Sequence, residues 1–466
     1  MRTSLSFCAL TLLSAAGIAC GSSSTSGPTA QPGGEDAGTP AADAATPPPA
    51  VDAAPPPDYG KPSTTYPAFT PSLGQLQNSG GYVMKNPVIV AVTWDTDTSQ
   101  ASFDTFADTV GGTQYWNAAS AEYGVKAATS GAANHVHIST APPATLADAD
   151  IQALVTANAG KTAGWPAPTQ DTIYAFFLSP GTSLLIQAGP GGGAAQDACK
   201  QGVGGYHDQV TAGTVTTSYA VVPSCTFGGQ NTAAQQSTMS MSHELLEAVT
   251  DPQPQNGGYQ GFADDSFAFE YFQELQSENG DACEFFRNSF FENKETTPAP
   301  FDFWVQRTWS NAAGAAGHDP CVPAAAAPYF NVTPLDLTQV GLTLPGILTG
   351  GAAQNKKTKG VQIAAGKSAT FPIGFYSDAD TGGPWTISVA PGNPILAASA
   401  GGSQIDKYNA SSLTATVDKT SGQNGEKAYV TMSVKTGGSL FKGEIVTVSS
   451  KLGNVTHFMP IWISNE

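Results

Sequence analysis

Ser242-His243-Glu244-Leu245-Leu246-Glu247 puts an imidazole and a carboxylate four residues apart, with a second carboxylate directly after the imidazole. On a helix, His243 and Glu247 project from one face about one turn apart. This is the layout of the HExxH zinc motif with glutamate in place of its second histidine. Carboxylate is an acceptable zinc ligand, and catalytic zinc sites mix it with imidazole. Glu244 then stands where a general base for a metal-activated water belongs. A third ligand has to return from elsewhere in the chain, and Glu278, or in its place Asp281, is expected to complete the set.

The neighbourhood is rich in donors. No Lys or Arg occurs between Lys200 and Arg287, while Asp208, Glu244, Glu247, Asp251, Asp264, Asp265, Glu270, Glu274, Glu278, Asp281 and Glu284 all fall there. If these carboxylates converge, protons or a cation must offset their repulsion. If they stay apart they form only an acidic, solvated surface. Zn2+ suits a set that includes His243. Ca2+, the alternative, would prefer the all-oxygen donors Asp251, Asp264, Asp265 and Asp281. Two anionic ligands would leave zinc a weaker Lewis acid, which argues against a fast enzyme.

The remaining polar residues have blander readings. His207, beside Gly205-Tyr206, reads first as a structural hydrogen-bonding residue, with an additional ligand or proton shuttle as its functional role. His135 and His137 alternate on a strand, face one side and read as structural or exposed. Asp251, followed by Pro252, caps the end of the helix or the next turn. Trp304 and Trp309 read as core; exposed, their indoles would suit sugar stacking.

The elements that must position these groups follow from periodicity. Val88-Ile89-Val90-Ala91-Val92 is a continuous apolar run, the pattern of a strand buried on both faces. Ile173–Leu178 and Ser218–Val222 read the same way. Residues 102–123, with Phe103, Phe106, Val110, Tyr115 and Trp116, and residues 144–158 have helical spacing. Residues 232–250 form the helix that carries the motif, started by Asn231 or Thr232 and stopped by Asp251-Pro252. Strands alternating with helices predict an α/β layer architecture, a mixed sheet with flanking helices. After about residue 328, short alternating runs (Ala369–Phe375, Trp385–Val389, Ala428–Val434, Glu444–Val448) separated by Gly, Asn and Ser predict an all-β sandwich.

The first twenty residues, with Arg2, an apolar stretch from Leu5 to Ile18 and small residues before Cys20, have the form of a secretory signal. Gly17-Ile18-Ala19-Cys20 resembles a bacterial lipobox, with Gly17 where leucine is usual, so Cys20 is the expected lipidation site. Gly21 after it favours an outer-membrane destination in a Gram-negative host. Residues 21–65 hold ten prolines and nine alanines, too little apolar surface to offset ordering entropy, and read as an extended leash. With Cys8 and Cys20 set aside, Cys199, Cys225, Cys283 and Cys321 form an even set in an exported chain and predict two disulfides. Of the three pairings available, the local one, Cys199–Cys225 with Cys283–Cys321, is expected.

Composition sets outer limits. The 466 residues carry 19 Lys+Arg against 37 Asp+Glu, a net charge of −18, which argues against nucleic-acid binding. Beyond the N-terminus no apolar run approaches the roughly 20 residues of a membrane-spanning helix, so the membrane enters only through the N-terminal lipid.

Ser242–Pro252, Glu278-Asn279-Gly280-Asp281-Ala282-Cys283-Glu284, and Phe303–Arg307 with Trp309-Ser310-Asn311 and Cys321 together resemble the EXORDIUM-like (phosphate-induced) secreted family and its bacterial relatives. Members look like SHExxExxTxP, then ExGDxCE, then a VQxxWS strand ending in cysteine. Gly80–Met84, Val88–Trp94, Gly205-Tyr206-His207 and Tyr219–Pro223 are also similar. The resemblance spans about residues 80–323, with Asn279 where relatives often carry an aliphatic residue. It implies an extracellular protein with the site above and names no reaction.

These readings divide the chain into a lipoprotein-type signal (1–20), a leash (21–65), an EXORDIUM-like, metallopeptidase-like α/β domain (66–327) and a β-sandwich domain (328–466). The expected function is an exported, lipid-anchored cell-surface protein with a zinc-dependent, peptidase-like hydrolase site acting on a peptide or cell-surface polymer. The alternative is a non-catalytic extracellular binding protein whose site holds a structural metal and whose sandwich recognises carbohydrate or a protein partner.

Overall fold

Alternate residues of the continuous apolar strands point to opposite faces of a sheet, and each face has its own core. In the computed structural model, β1 (Val88–Trp94), β2 (His135–Ile138), β3 (Thr172–Phe177), β4 (Tyr206–Ala212) and β5 (Val215–Val222) form one five-stranded sheet in the order β2-β1-β3-β5-β4. Neighbours are parallel except for the β4–β5 hairpin. Ile89, Ala91, Ile173, Ala175, Phe177, Ala220 and Val222 pack into one core. Val90, Val92, Tyr174, Phe176, Tyr219 and Val221 pack into the other. The structure describes residues 57–186, 194–227, 231–263, 278–284, 288–344, 354–392, 413–435 and 443–464. The signal, Cys20, most of the leash, and Asp264, Asp265, Glu270 and Glu274 lie outside the described residues.

Helices cover both faces. The segment read as one helix over 102–123 is broken into α1 (Gln100–Val110) and a short helix Gln114–Ser120. The break falls at Gly111, where a Cβ would lie 2.3 Å from the Ala128 carbonyl oxygen. Thr113 then caps the second piece by accepting from the Trp116 N–H. On the opposite face α2 (Asp148–Asn158) buries Ile151 and Val155. The motif helix α3 (Ala233–Thr250) starts in a capping box, Thr232 accepting from the Gln235 N–H while Gln235 Oε1 accepts from the Thr232 N–H. Its Met241, Leu245, Leu246, Ala248 and Val249 enter the first core. It lies against β5 and against the hairpin of β6 (Phe290–Glu295) and β7 (Phe301–Gln306) through β7. Both disulfides take the local pairing, Cys199–Cys225 and Cys283–Cys321.

The C-terminal region is β-rich, as its alternating runs predict. A four-stranded antiparallel sheet orders Phe330–Pro334, Ser368–Ser377, Lys427–Val434 and Leu413–Val417. A six-stranded sheet orders Thr338–Leu344, Gln354–Gln362, Val455–Ser464, Gly443–Leu452, Trp385–Pro391 and Ser421–Gly422. Val332, Ile373, Phe375, Val430 and Met432 of the first share a core with Ile387, Val446, Val448, Met459 and Ile461 of the second. That core is continuous with the one beneath α3, and residues from Tyr59 onward form one compact unit. Residue 328 thus separates two sheet systems but not two cores.

Residues 59–65, read with the leash, are tied to this C-terminal region. Asn424 Nδ2 donates to the carbonyls of Ser63 (2.9 Å) and Thr65 (2.8 Å), and Asn424 Oδ1 accepts from the N–H of Ala68 and Ser377. Composition misses this because backbone groups and the single Tyr59 side chain, packed on Tyr429, make the attachment. Among the described residues no helix is long and apolar enough to cross a membrane.

Candidate metal centre

Three segments distant in sequence converge on α3. The β4–β5 hairpin brings Gly205-Tyr206-His207 over one flank of the helix. The segment held by the Cys283–Cys321 disulfide brings Glu278–Glu284 over the motif face. β7 brings Gln306 against the start of the motif. Ser242 ties the last of these in place, its Oγ accepting from the Gln306 N–H at 2.9 Å.

His243 Nε2 lies 3.1 Å from Glu247 Oε1 and 3.7 Å from Asp281 Oδ1. Ligand atoms of these three residues all fall within 4.8 Å of one another. The Glu247 carboxylate also accepts from the Asp281 N–H at 3.0 Å. On the other flank, His207 Nδ1 lies 3.5 Å from Glu244 Oε2 and 3.6 Å from Glu247 Oε2, and its Nε2 lies 3.3 Å from Glu278 Oε2. His207, Glu244 and Glu247 make a second group within the same 4.8 Å limit. The two oxygens of Glu247 therefore face the two groups. Of the two donors expected to complete the motif, Asp281 sits with His243 and Glu247, whereas Glu278 faces His207.

Burial corrects the reading of these acids as a solvated surface. His207, His243, Glu244, Glu247, Asp251 and Glu278 are each no more than 9% exposed. Glu278 Oε2 and Asp251 Oδ2 are buried without a hydrogen-bond partner. Asp251 ends the helix as its sequence suggests, Oδ1 accepting from the Gly258 N–H at 2.7 Å, while its carbonyl oxygen lies 3.2 Å from His207 Nε2. His207 is likewise no isolated structural histidine but the residue on which Glu244, Glu247 and Glu278 converge.

Electrostatics follow from this crowding. Burial disfavours charge on every member. Burial pushes Glu278 and Asp281 well above the usual carboxylate range and raises Glu244 and Asp251. It pushes Asp208, next along β4, up to about 6. For the imidazoles burial is outweighed: Glu278, Glu244 and Glu247 hold His207 well above its ordinary value, and Glu247, Glu244 and Asp281 do the same for His243. Glu247 is the exception among the acids, since His243 and His207 overcome its burial and hold it low. Without a metal, protons are what hold the group together.

Gln306, which no motif singled out although it lies in the VQ pair of β7, sets the orientation of His243. Its Nε2 donates to the Gly280 carbonyl at 2.8 Å, so its Oε1 is the atom 3.0 Å from His243 Nδ1 and must accept from an N–H there. Nε2 of His243 is then left to face Glu247 and Asp281. Either it carries a second proton or a cation sits between these donors. Gly280 is required by the same packing, because a Cβ there would lie 2.8 Å from both Glu247 Oε1 and His243 Nδ1.

Of the other residues singled out, Trp309 is fully buried and Trp304 half-buried. A concavity of about 760 Å3 is lined by residues such as Thr113, Trp116, Asn293 and Pro323 and by none of the cluster.

No family model and no curated protein matches the chain. Among solved structures it is similar to domains 5–6 of the S-layer protein SbsC at 14% identity, covering 29% of this chain and 46% of that one, with a TM-score of 0.15. Domains 4 and 5 of the same protein match at 13% identity, 38% of this chain and 99% of that chain, again with a TM-score of 0.15. Likenesses this slight carry no argument about fold, site or function.

Proposed function

We propose that the protein is an exported surface protein whose α3 cluster binds zinc through His243, Glu247 and Asp281 and serves as a metallopeptidase-like hydrolytic site. The observation that carries this reading is the buried excess of carboxylate. Glu244, Glu247, Asp251 and Glu278 are buried and, with the partly exposed Asp281, surround two imidazoles. A divalent cation relieves that excess without requiring protons. Imidazole in the set favours zinc over calcium.

Zinc bound there would supply Lewis-acid polarisation of a carbonyl and acidify a water. Within the chain, Glu244 would accept the proton, and its raised proton affinity makes it a stronger base for that role. His207, with Nδ1 3.5 Å from Glu244 Oε2, orients that carboxylate. Gln306 fixes the His243 ring, as partners of metal-bound histidines commonly do. The resemblance to the EXORDIUM-like family, the signal with Cys20 and the two disulfides all support an extracellular, lipid-anchored setting.

The burial of the cluster favours a second reading, a closed structural metal that stabilises the fold while the C-terminal β-sandwich does the binding. One experiment separates them. Elemental analysis should find one fewer zinc per chain in His243→Ala than in the parent protein, and Glu244→Gln should keep that zinc while losing peptide hydrolysis. Equal zinc in parent and His243→Ala sinks both readings. Zinc lost with His243, but no hydrolysis in the parent, leaves the structural one.

A further inference from the structure

At the edge of the five-stranded sheet, far along the chain from α3, a second set of donors is assembled from two elements. α1 buries Phe103, Phe106, Ala107 and Val110 in the core. Asp104 and Asp108, four residues apart on the same helix, therefore share a neighbouring face. β2 is the edge strand, and its Val136 points into the opposite core. His135 and His137 thus project together toward α1. Their rings stack with centroids 6.2 Å apart.

The contacts between the two elements have an asymmetry that paired ion bridges do not need. His137 Nε2 lies 2.9 Å from Asp104 Oδ2, and His135 Nδ1 lies 3.8 Å from the same oxygen. His135 Nε2 meets Asp108 Oδ1 at 2.8 Å. Asp104, His135 and His137 each offer a ligand atom, all within 4.8 Å of one another. Zinc–ligand bonds of about 2.0–2.1 Å set tetrahedral ligand separations of about 3.3 Å, between the two separations measured to Asp104 Oδ2. Asp104 is 9% exposed, and its Oδ1 is buried with no hydrogen-bond partner. Among the described residues no Lys or Arg pairs with either aspartate.

We propose that Asp104, His135 and His137 form a binding site for a divalent transition-metal ion, separate from the α3 cluster. His135 coordinates through Nδ1, and Asp108 accepts from its Nε2–H and so orients the ring, the arrangement usual for metal-bound histidine. Three protein ligands leave a position for water on the solvent side, where the His137 side chain is 37% exposed. The ion bridges the edge strand and α1 through Asp104 Oδ2, the oxygen that both histidines face. Two imidazoles and one carboxylate select zinc or a similar ion over magnesium or calcium.

The test is a calorimetric zinc titration of the whole chain at pH 7.5 in a His243→Ala background, which removes the site proposed on α3. Submicromolar zinc binding should persist there and fall at least a hundredfold on adding His137→Ala or Asp104→Asn. Asp108→Asn should weaken it about ten- to a hundredfold. His318→Ala, which removes the exposed His318–Asp378 pair, should change nothing. Zinc should also raise the melting temperature in this background and fail to do so once His137 is replaced. His137→Gln repeats the test with a polar side chain if the alanine variant folds poorly. Binding unaffected by His137→Gln and Asp104→Asn, or no binding below about 100 μM before they are introduced, overturns the proposal.

Discussion

Replacing Gln306 by methionine tests the orientation of His243 without opening a cavity. The side chain is 2% exposed and joins His243 Nδ1 to the Gly280 carbonyl through bonds of 3.0 and 2.8 Å. Methionine keeps the volume and the backbone bond to Ser242 but leaves the buried His243 N–H without a partner, while the Gly280 carbonyl still accepts from the Cys283 N–H at 3.1 Å. An unpartnered buried donor costs about 1–3 kcal/mol, so Gln306→Met should lower folding stability by about that much. If His243 is a zinc ligand, loss of its supporting partner should weaken zinc binding about ten- to a hundredfold. Chelator competition reads the affinity, and urea unfolding in EDTA reads the stability. Nitrogen-detected NMR of the metal-free protein should show His243 protonated at Nδ1 in the parent. An unprotonated Nδ1, or stability and affinity unchanged in Gln306→Met, would refute the reasoning.

Gly280→Ala should push the Glu278–Glu284 segment away from His243 and Glu247, an overpacking cost of about 1–3 kcal/mol visible as a lower urea midpoint. In EDTA, stability should decline from about pH 6 to pH 8. Glu278, Asp281, His207 and His243 hold protons in the folded state that the unfolded chain has released, so the advantage they confer at low pH is lost as pH rises. His457 is depressed to about 4 by burial and acts oppositely, costing stability as pH falls below about 6.5. A urea midpoint in EDTA that is flat or rising between pH 6 and 8 would contradict this picture; added zinc should flatten the decline, since it replaces the protons. Asn424→Ala removes the bonds to Ser63, Thr65, Ala68 and Ser377, and should expose residues 59–68 to proteolysis within an otherwise folded protein.

What the sequence determined by itself is what local periodicity and local caps encode. The apolar runs Val88–Val92 and Ile173–Leu178 read as strands covered on both faces, and the structure has strands at Val88–Trp94 and Thr172–Phe177. A cap at Asn231 or Thr232 and the stop at Asp251-Pro252 bound the helix that puts His243 and Glu247 on one face, and the structure chose Thr232. The nearest-neighbour pairing of four cysteines and the β-rich character after residue 328 were legible for the same reason. The tertiary structure decided everything that depends on segments meeting across the chain. The β4–β5 hairpin carries His207 against Glu244, Glu247 and Glu278, an encounter that no local pattern around His207 records. β7 brings Gln306 to His243, and the disulfide-held segment selects Asp281 over Glu278 as the partner of the motif. Asp104 and Asp108 meet His135 and His137 only because α1 packs beside the edge strand. Spacing can say which side chains share a face, but which faces meet is decided by the burial of apolar surface over the whole chain.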